Sequence, residues 1–124
     1  MSPTDQDIAG FIRSSFRSVW TLELLLQLAR SSDRAWTPGE LVGSLRASEA
    51  IVARGLEALL AAGLIVVDAD AGARFRPVSL DLAALVDGSA RLYAQRPDAV
   101  RRLIVGASDD SLSAFADAFR LRRD

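Results

Sequence analysis

The amino-acid sequence predicts a mainly α-helical domain that carries one small β-hairpin. Three observations point there. Apolar residues recur at helical spacing along most of the chain, and the runs open on Ser, Thr or Pro start signals. One interruption, Leu64 to Val78, reads instead as two short strands around the turn Asp68-Ala69-Asp70-Ala71-Gly72. The chain has 124 residues, half of them apolar, which is enough for one core without disulfides or metal staples.

Thr4 followed by Asp7 has the form of a helix cap with an acidic third residue. Ile8, Phe11 and Ile12 then give a short first helix its apolar face, which Ser14 and Ser15 weaken or bend. A second helix runs from about Ser18 to Arg30. Its apolar residues (Val19, Trp20, Leu22, Leu24, Leu25, Leu26, Leu28) go nearly all round, as in a helix buried on several sides. Trp20 and Trp36 are expected in the core and at its edge. After a polar loop, Thr37-Pro38-Gly39-Glu40 is a helix start: Thr caps, Pro occupies the first position, and Glu closes a capping box. Leu41, Val42 and Leu45 are the apolar side of that short helix.

Ser48 caps the next helix, with Ile51, Val52, Leu56, Leu59 and Leu60 as its buried stripe and Gly63 as a left-handed terminator. Glu49, Ala50, Ala53, Arg54, Glu57, Ala58 and Ala61 are left for the free face. The hairpin follows, its return strand running from Ala73 to Val78, with Pro77 marking an edge. Ser79 caps a further helix bearing Leu82, Leu85, Val86, Leu92 and Tyr93, weakened by Gly88. Pro97 opens another, holding Val100, Leu103 and Ile104, and Ser108 a last one with Leu112, Phe115 and Phe119. The expected organisation is residues 1–78 as one unit and 79–124 as a helical extension, packed on the same core or forming a dimer interface.

Composition excludes several function classes. There is no Cys and no His. A zinc site, thiol chemistry and a Ser–His or Cys–His nucleophile pair all lack their residues, so no enzyme and no cofactor is expected. All 15 basic residues are Arg, yet the net charge is −1, so attraction to nucleic acid needs a local patch. Met1 to Asp7 is polar and acidic, unlike a signal peptide, and the run Val19 to Leu28 is too short and polar to span a membrane. A cytoplasmic location is expected. Asp109-Asp110 and the tail Arg120-Leu121-Arg122-Arg123 read as charges that complement helix ends.

The stretch TPGELVGSLRASEAIVARGLEALLAAGLI, Thr37 to Ile65, resembles the winged helix-turn-helix of MarR-type and ArsR-type bacterial regulators. The matching positions are Ser48, Val52, Leu56, Leu59 and Gly63-Leu64; with the hairpin, the resemblance reaches Val78. It implies a winged helix-turn-helix fold with a C-terminal helical extension, a homodimer, and double-stranded DNA as the partner, with the helix from Ser48 to Ala62 in the major groove. On that footing Arg54 reads guanine, Glu49 reads cytosine, and Ala50 and Ala53 meet thymine methyls. Arg34, Arg46, Arg74 and Arg76, with Thr37 and Ser48 at helix N-termini, clamp the backbone. Arg74 and Arg76 stand two apart, on one strand face.

The residues themselves keep a second reading open. Glu49 and Glu57 repel phosphate, and Ala50, Ala53, Ala58 and Ala61 make a small, flat face suited to a partner helix. The alternative is a protein-interaction or adaptor module.

Overall fold

A computed structural model of the protein describes residues 2–106. It is mainly helical with one two-stranded antiparallel sheet. The helix expected from Ser108, with Leu112, Phe115 and Phe119, the Asp109-Asp110 pair and the Arg120–Arg123 tail lie outside the described residues.

Helix α1 spans Asp5–Ser15 and starts where Thr4 and Asp7 exchange both bonds of a capping box. It ends at Ser15, so Ser14 and Ser15 close the helix rather than bend it. Phe16, absent from the expected core, is almost fully buried and meets Phe11 edge-on at 5.6 Å between ring centroids. Helix α2, Val19–Arg30, is capped by Ser18 and buries Leu22, Leu24, Leu25, Leu26 and Leu28. Trp20 departs from expectation: it is 42% exposed. α2 is the central helix, and its all-round apolarity is used against α3, α4 and the sheet.

Helix α3, Pro38–Leu45, and helix α4, Glu49–Ala61, are joined by the three residues Arg46-Ala47-Ser48. Arg46 holds a left-handed conformation (φ 55°, ψ 37°), which turns the chain sharply, and Ala47 is buried beneath the turn. α4 lies close on α2 because Gly55 has no side chain: a Cβ there would stand 2.7 Å from Leu24 Cδ2. Val52 and Leu59 are buried as expected, but Leu60 is 49% exposed and does not belong to the stripe. Gly55, between Val52 and Leu59, takes the place in that stripe.

α4 ends in a Schellman motif. The Leu64 amide donates to the Leu59 carbonyl (3.0 Å) and the Gly63 amide to the Leu60 carbonyl (3.1 Å), with Gly63 at φ +75°. Strand β1, Ile65–Val67, then pairs with β2, Ala73–Phe75, in the register Ile65–Phe75, Val66–Arg74, Val67–Ala73. The strands are shorter than the sequence predicts. Past them, the Arg76 amide still reaches Leu64 O and the Val78 amide reaches Gly63 O. Trp36 also pairs with Ala73 through two 2.7 Å backbone bonds, which tie the start of α3 to the hairpin.

Helix α5, Leu80–Gln95, runs through Gly88 without a break. The reason is packing: a Cβ at Gly88 would stand 2.5 Å from Ile8 Cδ1, so the glycine lets α1 close on α5. The neighbouring buried Ser89 satisfies its hydroxyl on the Leu85 carbonyl. Residues 97–106 are helical (α6). One hydrophobic cluster takes in Ile8 and Phe11 from α1, the leucines of α2, Leu41, Val52 and Leu59, Val86 from α5, and Val100 and Ile104 from α6. Tyr93, half-buried, donates its hydroxyl to Glu23 of α2 and lies under the Arg101 guanidinium. No helix among the described residues is long and apolar enough to cross a membrane.

Candidate nucleic-acid interface

The residues singled out from the sequence fall into three groups in space. The first surrounds the start of α3. Thr37 caps the helix through the Glu40 amide (3.2 Å), and its own amide donates to the Glu40 carboxylate (3.0 Å). Arg34 forms a salt bridge with the same carboxylate and lies over the Trp36 ring, 3.8 Å from its centroid. The Thr37 backbone amide first, and then the Arg34 guanidinium, hold the Glu40 carboxyl below its ordinary range. Both residues therefore have local work: Arg34 braces the loop before α3, and the Thr37 hydroxyl is committed to Glu40. A phosphate at Arg34 would displace Glu40.

The second group is the turn and the outer face of α4. Ser48 caps α4 by accepting from the Ile51 amide (3.1 Å). The amides of Glu49 and Ala50, at the first helical positions, have no intrahelical acceptor, and both residues are exposed. Arg46 is exposed one step before Ala47. Glu49, Ala50, Ala53, Arg54, Glu57, Ala58 and Ala61 are all exposed, so the face assigned from the sequence is the face that is free. Arg54 is its single cation.

The third group is the hairpin. Arg74 and Arg76 are both exposed on β2 and its continuation, alternating with buried Ala73 and half-buried Phe75. Asp68, which stands in the turn beside them, is a structural residue. Its carboxylate accepts from the Asp70 amide (3.0 Å) and the Gly72 amide (2.8 Å), closing a turn in which Ala71 is left-handed. Half of the acidity of that turn is thus bound into its backbone.

Arg46, Arg54, Arg74 and Arg76 form no salt bridge among the described residues. The described residues also hold no group of three or more acidic side chains placed to bind a metal ion. Sequence reasoning missed two neighbours of this surface, Arg17 and the exposed Trp20, which stand beside Arg54. An apolar run around all of α2 gave no signal that Trp20 is left open.

No family model, no curated protein and no solved structure matches this chain.

Proposed function

We propose that this chain is a winged helix-turn-helix domain that binds double-stranded DNA as a cytoplasmic homodimer and regulates transcription, without a catalytic step. The observation that carries the reading is the unit from Thr37 to Val78. Two capped helices meet at a three-residue turn. The second presents eight exposed side chains, and a hairpin bearing two arginines that form no salt bridge among the described residues is bonded back to the segment before the first. That combination places one helix face outward and a cationic strand beside the same unit, which is what major-groove reading with a backbone-tracking wing requires. Arg54 and Glu49 are assigned to base edges, with Ala50 and Ala53 against thymine methyls. Arg46, Arg74 and Arg76 are assigned to phosphates, with the Ser48 end of α4. A second copy is assigned to the apolar side chains left exposed on α5 and α6, Leu80 and Val105.

The test is binding to genomic DNA fragments by fluorescence anisotropy across a salt series. Three phosphate-facing arginines, which form no salt bridge among the described residues, predict a log–log slope of about −2.7 per protomer. Binding that stays undetectable at low salt sinks the proposal. Two acids and four alanines on the outer face of α4 favour the second reading, a protein partner, and a chain that ignores DNA yet captures one defined protein supports it.

A further inference from the structure

Where α1 gives way to α2, beside one stripe of α4, lies a cavity of about 420 Å³. Arg17, Trp20 and Arg54 line it, together with the hydroxyl residues Ser15, Ser18 and Thr21. Neither arginine forms a salt bridge among the described residues, and no carboxylate lines the cavity. The groove between α1 and α5, by contrast, is lined by Asp7 and Asp81 and repels an anion. Trp20 is the odd residue of α2: Leu22, Leu24, Leu25, Leu26 and Leu28 are all buried, whereas the indole is left 42% open at the cavity. An exposed indole sharing a cavity with two guanidinium groups that form no salt bridge among the described residues is a surface for a planar ring that carries negative charge.

We propose that this cavity binds a nucleoside monophosphate, its base against Trp20 and its phosphate between Arg17 and Arg54. The phosphate monoester is favoured because its near-double negative charge and three acceptor oxygens match two guanidinium forks. The Ser18 and Thr21 hydroxyls are bonded to each other, which leaves Ser15 as the hydroxyl partner for a sugar; the volume falls in the range of small-ligand pockets. This site does not depend on the DNA reading. Its consequence does: Arg54 belongs to both, so a bound nucleotide withdraws it from DNA.

The experiment is two-dimensional NMR of the full chain, following the Trp20 indole N–H, assigned with Trp36→Phe. The four ribonucleoside monophosphates are titrated at low salt beside adenosine, inorganic phosphate and benzoate. The expected result is a saturable shift with a monophosphate that adenosine and phosphate each reproduce only weakly. Arg17→Ala and Arg54→Ala, both checked as folded by their methyl spectra, weaken binding at least about tenfold, the effect of removing a charge-assisted hydrogen bond. No saturable shift, equal binding of adenosine, undiminished binding in both variants, or tighter binding of benzoate overturns the proposal. In a DNA anisotropy assay the nucleotide then raises the Kd. Nucleotide binding in a chain that never binds DNA leaves this site standing and removes only the DNA reading.

Discussion

Arg46 occupies a backbone conformation that costs energy for any residue except glycine, and that cost separates its structural and functional roles. At φ 55° and ψ 37° its Cβ crowds the following carbonyl, a penalty of about 1–2 kcal/mol. Arg46→Gly removes the penalty. It also restores backbone freedom to the unfolded chain, which offsets about 0.4–1 kcal/mol of the gain. Arg46 forms no salt bridge among the described residues. The net expectation is stabilisation by roughly 0.5–1 kcal/mol, a rise in Tm of about 2–5 °C for a domain of this size. If Arg46 touches phosphate, the same variant binds DNA more weakly, and its log–log salt slope falls by about 0.9. Urea denaturation reads the first effect and anisotropy across a salt series the second. A less stable Arg46→Gly refutes the strain argument. A more stable variant with an unchanged salt slope refutes the phosphate contact and leaves the turn as a purely structural device.

Four further outcomes follow from the same geometry. Gly63→Ala meets both a positive φ and the Val78 methyls at 3.1 and 3.2 Å, so it destabilises by about 1–2 kcal/mol, whereas Gly43→Ala, with open space around it on α3, stabilises by about 0.5–1 kcal/mol; paired urea midpoints check the opposite signs. Glu40 has a folded pKa below its ordinary 4.5, so its contribution is fully present well above that pH and is lost as pH falls through the lowered value; the midpoint gap between wild type and Glu40→Gln is flat around neutral pH and narrows on acidification below the ordinary carboxylate range. The Trp36 indole N–H is buried without a hydrogen-bond partner among the described residues, so Trp36→Phe, which deletes that donor and keeps a ring, changes stability by less than about 1 kcal/mol in thermal melts. Glu57→Gln removes an acid from the exposed face of α4 and tightens DNA binding about two- to tenfold at low salt, an effect that shrinks as salt rises; unchanged affinity places Glu57 outside the interface.

Local chemistry made most of the elements readable. Thr4 with Asp7, Ser18, Thr37 with Glu40, Ser48 and Ser79 all cap helices where their side chains can reach an amide three residues on. Gly63 terminates α4 because a left-handed residue is needed there. What failed was decided by packing between elements distant in sequence. Gly88 weakens an isolated helix, but Ile8 packs against its missing side chain, so α5 runs through it. Gly55 belongs to neither face in the sequence reading, yet it is where Leu24 closes on α4. The bridge from Trp36 to Ala73 pairs a loop residue with a strand 37 positions on, and no periodicity marks a one-residue strand.

The candidate site divides along the same line. Which side chains of α4 face outward follows largely from helical period: seven of the eight exposed ones are readable, Leu60 being the exception. Which cations are free does not, because it depends on where acids lie in space. Arg34 and Arg74 look alike in the sequence, each an arginine within a few residues of an aspartate. In the structure Arg34 is engaged by Glu40 and the Trp36 ring, while Asp68, one of the two acids in the hairpin turn, directs its carboxylate onto two amides of that turn. The charge that bears on function therefore shifts away from the loop before α3, towards the hairpin, the Arg46 turn and the Arg54 edge of α4. That edge adjoins Trp20 and Arg17, so the lone arginine of the exposed face of α4 borders two surfaces. A single positive charge on an acidic helix is a weak determinant of DNA affinity, but if the helix reads DNA and the cavity takes the proposed nucleotide, sharing Arg54 lets the small ligand decide when the helix does so.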